Sequence, residues 1–136
     1  MNQNPHDSVL QDSYQKRVQK WMYACFDPRI ADNREERCLR FLEEAVELVQ
    51  ALNLSKERAY KVIDYVYSRD KGEPGQEIGG VMVTLSTLGT NIGKDVKNEA
   101  EKELSRAWEN IDKIRSKQKG KVNHDITAET SYKALD

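Results

Sequence analysis

From Ile78 to Ile92 the chain carries no charged residue, although 33% of its 136 residues are Asp, Glu, Lys or Arg. The stretch is apolar or small on nearly every side of a helical wheel, so it predicts a helix that ends up covered by protein on most faces. Thr and Ser interrupt it, and it is too short for a bilayer span. Val81-Met82-Val83 tolerates a strand, but it lies inside a longer helical pattern. A chain of this length suits one domain, and with 38% hydrophobic residues its core is modest. A partner subunit is therefore expected to complete much of that core.

The rest of the chain has helical periodicity broken by turn signals. Tyr14, Val18, Trp21, Met22, Cys25 and Phe26 recur at the spacing of an amphipathic helix, which Asp27-Pro28 interrupts. Asn33 followed by Glu36 reads as a capping box opening a second helix that runs to about Leu52. Ser55 is a good N-cap for a third, with Ala59, Val62, Ile63, Val66 and Tyr67 as its apolar positions. Lys71-Gly72-Glu73-Pro74-Gly75 is a turn-rich linker before the fourth helix, from about Gln76 to Ile92, which Gly93 ends. A last helix is expected from about Asp95 to Lys117, with Leu104, Ala107, Trp108, Ile111 and Ile114 inward. The prediction is an all-α bundle of four to five helices, with residues 1–13 a flexible leader, 14–118 the helical domain and 119–136 a flexible tail.

Charge and cysteine content narrow the function classes. A net charge of −1 supplies no pull toward nucleic-acid polymers or anionic membranes. The N-terminus lacks the apolar core of a signal peptide, so a cytoplasmic protein is expected. Cys25 and Cys38 form no CxxC or zinc pattern and read as reduced packing residues.

The second helix holds the chemistry-bearing residues. Leu39, Phe41, Leu42, Ala45, Val46, Leu48, Val49 and Leu52 cover about half of its wheel, leaving Arg40, Glu43, Glu44, Glu47 and Gln50 on the other side. Glu44 and Glu47 rise from one face a turn apart, where like charges repel unless a divalent cation chelates them. An isolated ExxE on a helix is most often a solvated acidic face. Glu77 adds weight, because it is the one carboxylate in the first turn of the charge-poor helix, where burial would demand a cation or several donors. The helix dipole is the plainer reason for an anion there. Carboxylate oxygens alone suit Mg²⁺ or Mn²⁺ rather than zinc or copper. The only histidines, His6 and His124, lie in the expected leader and tail, which disfavours a di-iron bundle.

Glu43-Glu44-Ala45-Val46-Glu47 resembles the EExxE signature of the MazG-like, all-α nucleoside triphosphate pyrophosphohydrolases. In that family a second helix supplies ExxD after a spacer, and Glu77-Ile78-Gly79-Gly80 stands at the corresponding place. The resemblance covers roughly residues 14–118. It implies Mg²⁺ or Mn²⁺ held by Glu44, Glu47 and Glu77, with Glu43 or Glu47 orienting or deprotonating the attacking water. The substrate would be a (deoxy)nucleoside triphosphate, cleaved to monophosphate and pyrophosphate, with a purine such as dGTP or GTP as a guess. Lys94, Lys97, Lys102 and Arg106 are candidate grips on the outer phosphates, Asn98 is a further polar contact, and Trp21 a candidate base-stacking ring. For each cation, ordinary surface charge is the plainer reading, and for Trp21 a core position. The family also implies a homo-dimer or homo-tetramer built through such central helices. Gly80 departs from the pattern, since the family has Asp there. Two readings follow: three glutamates suffice, or the chain is a catalytically silent bundle that binds a nucleotide or a protein partner. Glu103 is a candidate replacement ligand.

Overall fold

The computed structural model describes residues 13–119, and every regular element among them is helical. Seven helices lie among the described residues: α1 (Tyr14–Cys25), α2 (Pro28–Ala31), α3 (Arg34–Ala51), α4 (Lys56–Tyr67), α5 (Pro74–Asn91), α6 (Val96–Glu109) and α7 (Ile111–Lys119). The all-α reading holds, with more and shorter helices than the four or five expected. The leader and tail, including His6 and His124, fall outside the described residues apart from Ser13 and Lys119 at their edges. No helix among the described residues is long and apolar enough to cross a membrane.

Local chemistry explains most boundaries. Ser13 caps α1 by accepting from the Lys16 amide at 3.2 Å. Asp27 accepts from the Arg29 amide at 2.9 Å, and Pro28 supplies a first-turn residue needing no donor, so the expected break becomes the short helix α2. Asn33 caps α3 through the Glu36 amide at 2.9 Å, and Ser55 caps α4 through the Arg58 amide at 3.2 Å. α5 begins at Pro74, ahead of its expected start, because the Glu73 carboxylate accepts from the Gly75 and Gln76 amides at 2.9 and 2.8 Å. The Glu73 carboxyl is held below the usual glutamate range by those two amides.

Two helix ends share one device. Asn53 and Gly93 take left-handed φ values of 67° and 70°, following α3 and α5. In each the next amide reaches back, Leu54 to the Val49 carbonyl at 3.0 Å and Lys94 to the Gly89 carbonyl at 2.9 Å. Gly89 is buried because this return path lies against it: a Cβ there would meet Val96 Cγ2 at 2.9 Å and the Lys94 carbonyl oxygen at 3.2 Å. The single last helix expected from 95 to 117 is instead broken at Asn110, whose side-chain amide donates to the Arg106 carbonyl at 2.8 Å.

The described residues divide into two compact units, 13–37 with 103–119, and 38–102. In the first, α1 packs against α2 and α7. Cys25, Ala31 and Leu104 are its buried apolar residues, and Trp21 meets Phe26 edge-on at 5.9 Å. Arg115 of α7 donates to the Ala24 and Cys25 carbonyls at the end of α1, the Cys25 contact at 2.9 Å. In the second unit no side chain is buried, Gly89 being the one buried residue. The expectation that α5 would be central is thus not met within one chain. Ile78 is 67% exposed, Val83 64% and Met82 52%.

Candidate functional site

The candidate ligands fall within residues 38–102 and reach the surface by two routes. On α3, Glu44 and Glu47 are exposed, a helical turn apart, as the spacing requires. Glu43 is half-buried and paired with Arg40 at 2.7 Å, the two side chains being 33% and 19% exposed. That pair gives Glu43 a structural partner on its own helix, and a role in moving a proton would have to compete with it. On α5, Glu77 sits in the first turn and is exposed. Its carboxylate fills the space a Cβ on Gly72 would occupy, so the glycine in the preceding linker makes room for the acid. Glu73, in the same linker, is committed to capping α5.

Among the described residues no group of three carboxylate, His or Cys side chains lies close enough to hold one metal ion. The reason is visible in the packing, since α3 and α5 make no extensive contact. The donor chemistry suits Mg²⁺ or Mn²⁺, because all three groups offer hard oxygen ligands. Gly80 stands in open space, with nothing within 4 Å of the position a Cβ would take, and Gly79 is the same. An aspartate at Gly80 would fit without steric cost.

The candidate phosphate grips are spread more widely. Lys94, Asn98 and Lys102 belong to residues 38–102, whereas Trp21 and Arg106 belong to the other unit. The Asn98 amide donates to the Asp95 carboxylate at 2.9 Å, which makes Asp95 the N-cap of α6. Lys102 pairs with Glu99 at 3.5 Å, and Arg106 grips Glu103 through two nitrogens at 2.6 to 2.9 Å. These are exposed pairs along one helix, of the kind that contributes little to stability and exchanges readily for another anion. Glu103, the candidate replacement ligand, is engaged by Arg106. Trp21 is half-buried against Phe26, and its indole N–H has no acceptor among the described residues.

Sequence reasoning missed Arg115 and Glu73. Arg115 could not be singled out from pattern, because its partners lie on a helix at the other end of the chain. Glu73 was legible in principle, as an acid immediately before Pro74 at a helix start. Tyr23 is a third: its hydroxyl donates to Asp32, which raises the phenol pKa. Searches for a matching family model, a related curated protein and a similar solved structure found no match.

Proposed function

We propose that the chain is a cytoplasmic, MazG-like pyrophosphohydrolase that hydrolyses a (deoxy)nucleoside triphosphate to its monophosphate and pyrophosphate using Mg²⁺ or Mn²⁺. The observation that carries this reading is the spacing of the exposed Glu44 and Glu47 one helical turn apart on α3, with an exposed Glu77 at the start of α5 in the same unit. Three hard oxygen donors leave room for water and substrate phosphates, which Mg²⁺ retains readily. When bound, the metal neutralises the triphosphate and acidifies a coordinated water. The chain's own groups then do the rest. Glu44, Glu47 and Glu77 would hold the cation, and Glu43 or Glu47 would orient or accept a proton from the attacking water. Lys94 and Lys102, in the same unit as the three glutamates, would attract the outer phosphates by exchanging their present carboxylate or solvent contacts, and Asn98 offers an amide side chain nearby in sequence.

A second reading has its own support. With Gly80 where an Asp would serve, and the three glutamates not gathered within one chain, a silent bundle that binds a nucleotide or protein partner uses the same elements. Incubation with each common nucleoside triphosphate and Mn²⁺, followed by pyrophosphate measurement, separates the two. Turnover that disappears in Glu47→Gln supports the enzyme. Nucleotide binding without turnover supports the silent bundle.

A further inference from the structure

We propose that the face of α4 bearing Arg58, Lys61 and Tyr65, with Arg69 folded back onto it, binds single-stranded nucleic acid. Arg58, Lys61 and Tyr65 follow one another at spacings of three and four, so at about 100° per residue they lie within an arc of about 60°. Arg69 stands just past the C-cap Ser68, and its guanidinium carbon lies 4.4 Å from the centre of the Tyr65 ring. The stripe therefore extends along about 10 Å of helix from Arg58 to the Tyr65–Arg69 pair. All four side chains are exposed, Tyr65 by 61%.

The three cations are available to a ligand. Among the described residues none of them pairs with a carboxylate, although Glu57 precedes Lys61 by one turn. Lys102 and Arg106, by contrast, are each engaged by an acid. The acids of α4, Glu57 and Asp64, lie about 80° round the helix from the stripe. Its apolar residues Ala59, Val62, Ile63 and Val66 are centred about a third of a turn away on the other side, so they can be covered without closing the stripe.

Charge complementarity calls for a polyanion, and the aromatic ring selects its class. An acidic peptide or an anionic lipid surface is met by cations alone. A duplex keeps its base faces stacked on one another and offers none to a tyrosine. A single strand presents phosphates and free base faces together, so Arg58 and Lys61 meet the phosphates while the Tyr65–Arg69 pair offers a flat surface to a base. The chain's net charge of −1 supplies no long-range attraction, so the contact is local and falls off with salt.

The proposal is independent of the pyrophosphohydrolase reading, since it needs neither a divalent cation nor Glu77. Fluorescence anisotropy of a short labelled oligothymidylate, titrated with the full chain in EDTA at several salt concentrations, tests it. Log K should fall against log salt with a slope of about −2, the value for three phosphates neutralised on a single strand. Arg58→Met and Lys61→Met should each weaken binding and bring the slope to about −1.4. Tyr65→Ala should weaken binding about 5- to 100-fold with little change in slope, and Tyr65→Phe should restore it. Lys56→Met should change neither, because Lys56 lies over Tyr60 at 5.7 Å on the opposite side of α4. Circular dichroism should match wild type in every variant, and if Tyr65→Ala loses helicity, the slopes of the two cation variants decide. Absence of binding overturns the proposal, as does a slope unchanged in both Arg58→Met and Lys61→Met. Equal affinity for a duplex of the same length, for polyglutamate or for anionic lipid vesicles overturns the single-strand assignment, and wild-type affinity in a folded Tyr65→Ala does the same.

Discussion

Replacing Arg115 should loosen the unit formed by α1, α2 and α7 more than any other single surface substitution there. The last carbonyls of α1 have no partner within the helix, and the guanidinium of Arg115 supplies one for Ala24 and one for Cys25, the latter at 2.9 Å. A hydrogen bond from a charged donor contributes about 1.5–3 kcal/mol when shielded. Arg115 is 49% exposed, and water can solvate the freed carbonyls, so the pair together is worth about 1–2 kcal/mol after screening. Its pairing with Asp112 at 3.9 Å, where the acid is 96% exposed, adds nothing to that figure. Arg115→Met keeps the apolar stem and removes the fork, and should lower Tm by about 4–8 °C in a chain of this size. Arg115→Lys retains the charge near the negative end of α1 but reaches one carbonyl instead of two, so it should recover roughly half of the loss. Melting followed by circular dichroism measures both. The Cys25 thiol gives an independent readout. Burial raises its pKa and the Arg115 charge opposes that rise, so Arg115→Met should push the thiol higher still, read as an upward shift in the pH dependence of its reaction with a disulfide reagent. A melting temperature within about 1 °C of wild type in Arg115→Met, given the two-bond estimate above, would refute the reasoning.

Gly89→Ala should be destabilising by about 1–3 kcal/mol despite the better helix propensity of alanine, because the new methyl would press on Val96 and the Lys94 carbonyl; chemical denaturation would measure it, and a net gain would show that the return path yields. Glu73 has a folded pKa below the ordinary value, so its capping contribution is present above the unfolded glutamate pKa and is lost as pH falls through the folded one; amide exchange at Gly75 and Gln76 should accelerate over that acid range in wild type and already at neutral pH in Glu73→Gln. Glu77→Gln should abolish pyrophosphate release while leaving Tm unchanged, since the side chain is exposed and keeps its shape; retained release would take Glu77 out of the site. Gly80→Asp should tighten Mn²⁺ binding in calorimetric titration, because open space surrounds that position and a fourth carboxylate adds a ligand; no change in affinity would show that α5 does not face the cation there.

Helix starts were legible in the sequence where Asn33 and Ser55 offered short polar side chains to the first amides, and both cap as expected, whereas Ser13, assigned to the leader, caps α1 as well. Where the boundary depended on two effects acting together, the pattern was harder to read. Asp27-Pro28 signals a break when Pro28 is considered alone, yet Asp27 as cap and Pro28 as first residue together open a new turn. The interruption at Asn110 depends on a side chain competing for the Arg106 carbonyl, and periodicity runs through it undisturbed.

The carboxylates were legible as residue types and as faces, but not as a constellation. A wheel places Glu44 and Glu47 on the same side of α3 because both lie on one rigid helix, and spacing along a helix is fixed by its geometry. The distance from that pair to Glu77 depends on how α3 and α5 pack, and packing is set by apolar faces whose partner the sequence does not name. The apolar character of α5 identified a helix that must be covered. It was silent on whether the cover comes from the same chain, and within one chain Gly89 alone is buried along that helix. Where Glu77 comes to lie relative to Glu44 and Glu47 therefore depends on what covers the apolar side of α5, and a charge placed on that side, as in Val81→Lys, should lower Mn²⁺ affinity in calorimetric titration although no candidate ligand has been altered; unchanged affinity would show that the cation does not depend on how α5 is covered.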